Sequence, residues 1–148
     1  TKDGKIFMDK KTFGNIGENS AAMYLSDKGY HIIARNVYVG HSEVDIIAQD
    51  GDFLVFAEVK TRRQYPDRPD MFGRPSDRVD ERKKNALIRA ALEYTKTYPL
   101  ELTPRIDVIE VYIDPLSETY KVLSIRHFEN AVKKKGKFSA GRMKNLSF

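Results

Sequence analysis

Apolar positions recur along this chain with two different periods. Ala21, Ala22 and Leu25 form a stripe at helical spacing, and Gly29 is a stop signal, so a helix is predicted over about residues 16–28. Residues 1–13 before it are polar and basic and read as a flexible arm. The segment His31-Ile32-Ile33-Ala34-Arg35-Asn36-Val37 predicts a strand, and Gly40 a turn. Two more strands, 43–49 and 53–60, flank Asp50-Gly51, a strong hairpin signal. Residues 62–78 hold several Pro, a Gly and many Arg. They read as a loop longer than most connections, the kind that often carries function. Leu87, Ala90, Ala91 and Tyr94 recur at helical spacing, predicting a second helix over about 80–98, ended by Pro99. The segments 105–113 and 119–126, divided by Asp114-Pro115, predict two last strands. A short helix is expected over 127–134, and 135–148 read as a basic, disordered tail without a period. Helix, three strands, helix and two strands, with no repeat or linker, predict a single α/β domain over 14–134. Its central mixed sheet has about five strands and is flanked by helices.

The composition is compatible with that reading. A chain of 148 residues, 41% of them apolar, is the size of one domain with a real core. There are no cysteines, which excludes a disulfide framework and a thiolate metal site and fits a reducing, cytoplasmic setting. No apolar stretch reaches membrane-spanning length, so no membrane partner is expected. Lys and Arg number 26 against 21 Asp and Glu, a net charge of +5. The total is modest, but its distribution is not. Arg62, Arg63, Arg68, Arg74, Arg78, Arg82, Lys83 and Lys84 share one central stretch, and six more cations lie in the tail. Such patches suit nucleic acid, although charge runs are often only solvated surface.

The hairpin gives the charges an address. With Asp50-Gly51 at the centre of the turn, Gln49 faces Asp52 and Asp45 faces Phe56. Glu43, Asp45, Glu58 and Lys60 then project from one side, with Asp45 and Glu58 as diagonal neighbours roughly 7–8 Å apart at the backbone. Val44, Ile46 and Ala48 meet Phe53, Val55, Ala57 and Val59 on the other side, which is core. Ile47, Leu54 and Phe56 make the charged side partly apolar as well. Acids crowded there repel one another and are poorly solvated, and a divalent cation would relieve both problems. A lone Glu-x-Lys is far more often a weak surface pair. The aligned Asp and the apolar strands favour an internal site. Glu18 shares the helical stripe of Ala22 and Leu25, which sets an acid on the packing side; the alternative is a glutamate favoured by the helix N-terminus.

These residues resemble a known family. The blocks Gly14-Asn15-Ile16-Gly17-Glu18, Ala22, Tyr24-Leu25, Gly29-Tyr30 and Ala34-Arg35-Asn36 match the YraN family in order. So do Glu43-Val44-Asp45-Ile46-Ile47-Ala48, Phe56-Ala57-Glu58-Val59-Lys60-Thr61-Arg62, Val79-Asp80 with Lys83, Ala90-Ala91 and Arg105-Ile106-Asp107-Val108. That family is placed with the restriction-endonuclease-like PD-(D/E)xK nucleases and is similar to archaeal Holliday-junction resolvases. The resemblance implies Asp45 and Glu58 as metal ligands, Lys60 beside the attacking water, and Glu18 as the first-helix acid that supports the site. Val44 stands where the superfamily name has Pro.

The expected activity is therefore metal-dependent endonucleolytic hydrolysis of DNA, with branched or structured DNA implied by the resemblance alone. Magnesium is the expected ion and manganese the substitute. Arg62, Arg63, Arg74, Lys83 and Lys84 are the candidate contacts to nucleic acid, arginine because its planar fork donates twice to phosphate. Tyr65 and Phe72 could stack on unpaired bases. His31, His41 and His127 lack ligand spacing and read as structural, as does Asp107. Relatives of this fold often work as dimers, which leaves a homodimer open. Two other readings compete: a non-catalytic nucleic-acid-binding module of the same fold, and a protein-interaction domain with basic patches.

Overall fold

The computed structural model describes residues 9–65, 80–99 and 101–132. Helix α1 (Lys10–Asp27) starts where Asp9 caps it, its carboxylate accepting the Thr12 N–H at 2.8 Å. It begins six residues before the predicted start because Phe13 extends the stripe Gly17, Ala21, Leu25 by one turn. Lys10–Phe13, assigned to the arm from sequence, are thus helical. Three antiparallel strands follow, β1 (His31–Val39), β2 (Ser42–Asp50) and β3 (Phe53–Arg63). Helix α2 (Glu81–Thr97), capped by Asp80, carries the chain across to β4 (Thr103–Ile113), which runs parallel to β3. Strand β5 (Val122–Phe128) closes the sheet antiparallel to β4, giving the order β1-β2-β3-β4-β5.

Among the described residues, each face of the sheet is covered by one helix. Phe13, Ala21 and Leu25 of α1 pack on Ile46, Ala48, Val55, Ala57, Ile109 and Val111. Leu87, Ala90 and Ala91 of α2 pack on Ile47, Leu54, Phe56, Ile106 and Val108. Burial on both faces explains why β3 and β4 read as nearly continuous apolar runs. Gly17 lets α1 lie close on β3, since a Cβ there would collide with the side chain of Thr61.

Other predicted elements change as well. Strand β3 runs on through Arg62 and Arg63, because its pairing with β4 continues to Arg63 opposite Ile113. The helix expected over 127–134 is absent among its described residues. His127 and Phe128 complete β5, and the Asn130 N–H donates to Asp107 while the Ala131 N–H returns to the Ile106 carbonyl, at 2.9 and 2.8 Å. Those bonds make a turn of the segment.

Asp107 has the structural role expected of it. It is fully buried and accepts two bonds from Arg105 at 2.9 Å, with His127 Nε2 at 2.8 Å from Oδ2. Arg105 also donates to Tyr30 and Asp50, and His127 Nδ1 meets the Tyr24 hydroxyl at 3.0 Å. The network ties the C-terminal half of α1 to the far end of the sheet. Among the described residues no helix is long and apolar enough to cross a membrane.

Candidate active site

Asp45 and Glu58 lie where β2 and β3 part. The two-residue turn is Gly51-Asp52, with Gly51 at φ +56°, so Asp50 pairs with Phe53 and Ile46 with Ala57. The register thus differs by two from the one expected around Asp50-Gly51. Continued by one step, that register would put Asp45 opposite Glu58 rather than diagonal to it. The β2–β3 pairing ends at Ile46 and Ala57, while β2 continues beside β1 and β3 beside β4. In the fork, the Asp45 side chain replaces the missing strand partner: its Oδ2 accepts the Val59 N–H at 2.8 Å.

The alternation of β1 and β2 also breaks here. Val44 packs with Ile47 on the α2 side, not with Ile46 as the expected pattern required, and Ala34 and Val37 share that same side. Arg35 pairs with Ile46 and Val37 with Val44, so Asn36 and Asp45 stand opposite each other at the break. Asn36 has φ +50°, a left-handed conformation that asparagine tolerates better than most residues. Its side chain faces Glu18 of α1 and opposes the rise of that carboxyl. The break turns Asp45 out of the regular pleat and brings it within electrostatic reach of both Glu18 and Glu58.

Four of the predicted site residues therefore converge: Glu18, Asp45, Glu58 and Lys60. Glu58 is buried, only 4% exposed, and shares a side-chain hydrogen bond with Asp45. Burial first, and then the Asp45 charge, push its carboxyl up to about 7, against the pull of Lys83 and Lys60. Lys60 Nζ lies 3.5 Å from Glu58 Oε2, and Lys83 Nζ lies 3.7 Å from Oε1. Glu18 is raised by burial and by Asp45, with Arg35 and Asn36 opposing.

The other predicted contacts are placed apart from this group or differently within it. Lys83, expected at phosphate, pairs instead with Glu58 on β3. Arg62 reaches Glu110, a fully buried acid on β4, with Nη2 4.0 Å from Oε2. Arg63 stacks over the Phe13 ring at 4.9 Å. Lys84 pairs with Glu81 along α2 at 3.5 Å. Arg74 lies outside the described residues. Sequence reasoning missed Glu110 and the roles of Asn36 and Lys83. Glu110 pairs with Lys60 in the parallel register and accepts from Tyr112 at 2.8 Å. Only the β3–β4 pairing, which no local pattern encodes, could have revealed that neighbour.

The donor set fits a hard divalent cation. Two carboxylates from two strands are already within hydrogen-bonding reach of each other, and their shared bond needs a proton that a cation could replace. Among the described residues no three acids or histidines form a metal-binding group, so Glu18 stands outside the pair. Two protein carboxylates, with remaining positions left for water and phosphate, is a usual arrangement for magnesium.

Comparison with known proteins gives a consistent family. The model of "Uncharacterised protein family UPF0102" matches residues 17–111, the stretch that holds every site residue named above. A UPF0102 protein of Caldanaerobacter subterraneus subsp. tengcongensis is 38% identical over 125 residues, 84% of this chain and 97% of that one. One of Carboxydothermus hydrogenoformans is 40% identical over 105 residues, covering 70% and 85% of the two chains. One of Clostridium botulinum strain Loch Maree is 39% identical over 119 residues, covering 79% and 93%. Among solved structures, Pyrococcus furiosus SfsA in complex with Ca2+ aligns over 86% of this chain and 67% of its own, at 18% identity. The TM-score of that alignment is 0.37.

Proposed function

The chain belongs to the uncharacterised protein family UPF0102, the YraN family, and on that premise we propose that it is a metal-dependent endonuclease hydrolysing phosphodiester bonds in DNA. The observation that carries this reading is the pairing of buried Glu58 with the partly buried Asp45 at a fork between strands, with Lys60 and Lys83 on the two oxygens of Glu58. Acid, acid and lysine on diverging strands support a restriction-endonuclease-like assignment of the sheet.

Asp45 and Glu58 would hold the ion, magnesium or manganese. When bound, it supplies Lewis acidity toward the phosphate and lowers the pKa of water. The chain's own groups do the rest. The Val59 N–H fixes the Asp45 carboxylate, so its free oxygen keeps one direction. Lys60, about one-third exposed, stands between Glu58 and solvent, where it can orient the attacking water or bind charge building on phosphate oxygen. Lys83 holds the other Glu58 oxygen and limits the repulsion between the two acids. Glu18 and Asn36 brace the break that presents Asp45. The resemblance to junction resolvases makes branched DNA the first substrate to try.

The test is incubation with branched, single-stranded and duplex DNA, with magnesium, manganese or a chelator. Metal-dependent cleavage that disappears in Asp45→Asn and Lys60→Ala supports the proposal. Salt-sensitive binding without cleavage by the wild type would sink it in favour of a non-catalytic binding module.

A further inference from the structure

We infer that Glu110 is a positioning residue, holding the Arg62 guanidinium where it takes a DNA phosphate beside the one at the Asp45–Glu58 pair. The inference rests on the nuclease reading and extends it to β4. Glu58, Lys60 and Arg62 alternate along β3, so they share the face on which Phe56 and Val108 pack. Glu110 and Tyr112 lie on that face of β4, opposite Lys60 and Arg62 in the parallel register. The row runs from the acid pair toward the carboxyl ends of β3 and β4, and in open α/β sheets ligands sit outside those ends.

Glu110 is fully buried, and an acid there must be paired. The Tyr112 hydroxyl donates to its Oε1 at 2.8 Å, which fixes the carboxylate, and its Oε2 faces Arg62 Nη2 at 4.0 Å. Arg126 stands opposite Glu110 on the β5 side. The Arg62 pair differs in kind from the structural pair of the same sheet. Arg105 closes on Asp107 with two bonds of 2.9 Å, and its side chain is 6% exposed. Arg62 stays at the outer limit of an ion pair, with 24% of its side chain exposed. A guanidinium carries five donors in a planar fork, so one edge can face Glu110 while another meets phosphate. Glu110 thus aims the fork, and Arg62 still reaches solvent.

Arg62 follows Glu58 by four residues, about 13 Å along the strand, which sets it at a neighbouring phosphate rather than the one at the acids. The sign of its effect separates positioning from simple charge. If only Coulomb forces act, removing an acid beside a phosphate site strengthens DNA binding. If Glu110 aims Arg62, removing the acid weakens it.

The test measures affinity for one labelled branched DNA in chelator, across a series of salt concentrations, so no cleavage is involved. The proteins are wild type, Arg62→Ala, Glu110→Gln, the double variant and Tyr112→Phe. Arg62→Ala should weaken binding about tenfold and lower the slope of log affinity against log salt by about 0.9, the share of one phosphate. Glu110→Gln, which keeps the size and can still accept from Tyr112, should weaken binding and lower the slope in the same direction although Arg62 is present. The double variant should fall no further than Arg62→Ala. Tyr112→Phe should act like Glu110→Gln but less, and it decides the outcome if Glu110→Gln does not fold. Unchanged binding by Arg62→Ala, unchanged or tighter binding by Glu110→Gln, or additive losses in the double variant overturn the proposal. So does a Tyr112→Phe that binds as wild type when Glu110→Gln does not fold, or a wild type that binds no DNA. Failure of the nuclease reading looks different: binding that depends on Arg62 and Glu110 persists, but the wild type does not cut with magnesium.

Discussion

Replacing Glu58 by Gln should stabilise the metal-free protein, and more so as the pH rises. Glu58 is 4% exposed, and burial beside Asp45 lifts its carboxyl from 4.5 to about 7. That span corresponds to about 3 kcal/mol. Because the folded-state value is the higher one, stability linked to this group is intact below pH 4.5 and is lost as the pH climbs through about 7. Gln keeps the shape and never ionises, so it avoids the loss. The two proteins should differ little near pH 4.5 and by about 2–3 kcal/mol at pH 8. Urea unfolding in chelator at both pH values reads this directly. With slopes of about 1–3 kcal/mol per molar, the midpoint of Glu58→Gln should lie about 1–2 M above wild type at pH 8. Magnesium should then raise the wild type and leave the variant unmoved. A gap that does not open with pH would refute the reasoning, since it would mean that Lys60 and Lys83 hold Glu58 as an ordinary anion.

Other consequences can be measured separately. Magnesium or manganese added at pH 6 should displace close to one proton from the Asp45–Glu58 pair, read by calorimetry in two buffers of different ionisation heat; binding without proton release contradicts the shared bond. Asp107→Asn should cost about 3–5 kcal/mol by stranding the buried Arg105. Against burial, which raises it, bonds from His127, Arg105 and the Asn130 amide hold the Asp107 carboxyl below its ordinary 3.8. Its stabilising effect is therefore present above that value and lost as pH falls through the lower folded one, so the wild type but not Asp107→Asn should show this acid step in a pH titration of stability. Gly17→Ala should cost about 1–3 kcal/mol through collision with Thr61, with part recovered in Gly17→Ala/Thr61→Ala; an unchanged melting temperature would mean α1 can shift on β3.

Much of the site was legible because strand alternation tolerates one kind of error. The hairpin register was off by two, and a shift of two leaves every side chain on its own face, so Glu58 and Lys60 kept their side beside Phe56. The Val44 placement failed for a different reason. The left-handed turn of the backbone at Asn36 breaks the alternation of both strands, and nothing in the triplet Arg35-Asn36-Val37 announces it. Lys83 and Glu110 were hidden because their partners come from tertiary register: the first turn of α2 over Glu58, and β4 parallel to β3. The tail of the sheet was misread where Asp107, 20 residues or more away in sequence, captures His127 and the Asn130 amide and holds 127–130 out of a helix.

The central claim is that the Asp45–Glu58 pair carries metal-dependent hydrolysis of DNA. Its most direct test is the cleavage rate of wild type and Glu58→Gln on the same branched DNA, at pH 8 with magnesium. The account predicts cleavage by the wild type and none by the variant, although the variant is the more stable protein without metal. Cleavage by Glu58→Gln at the wild-type rate would contradict it.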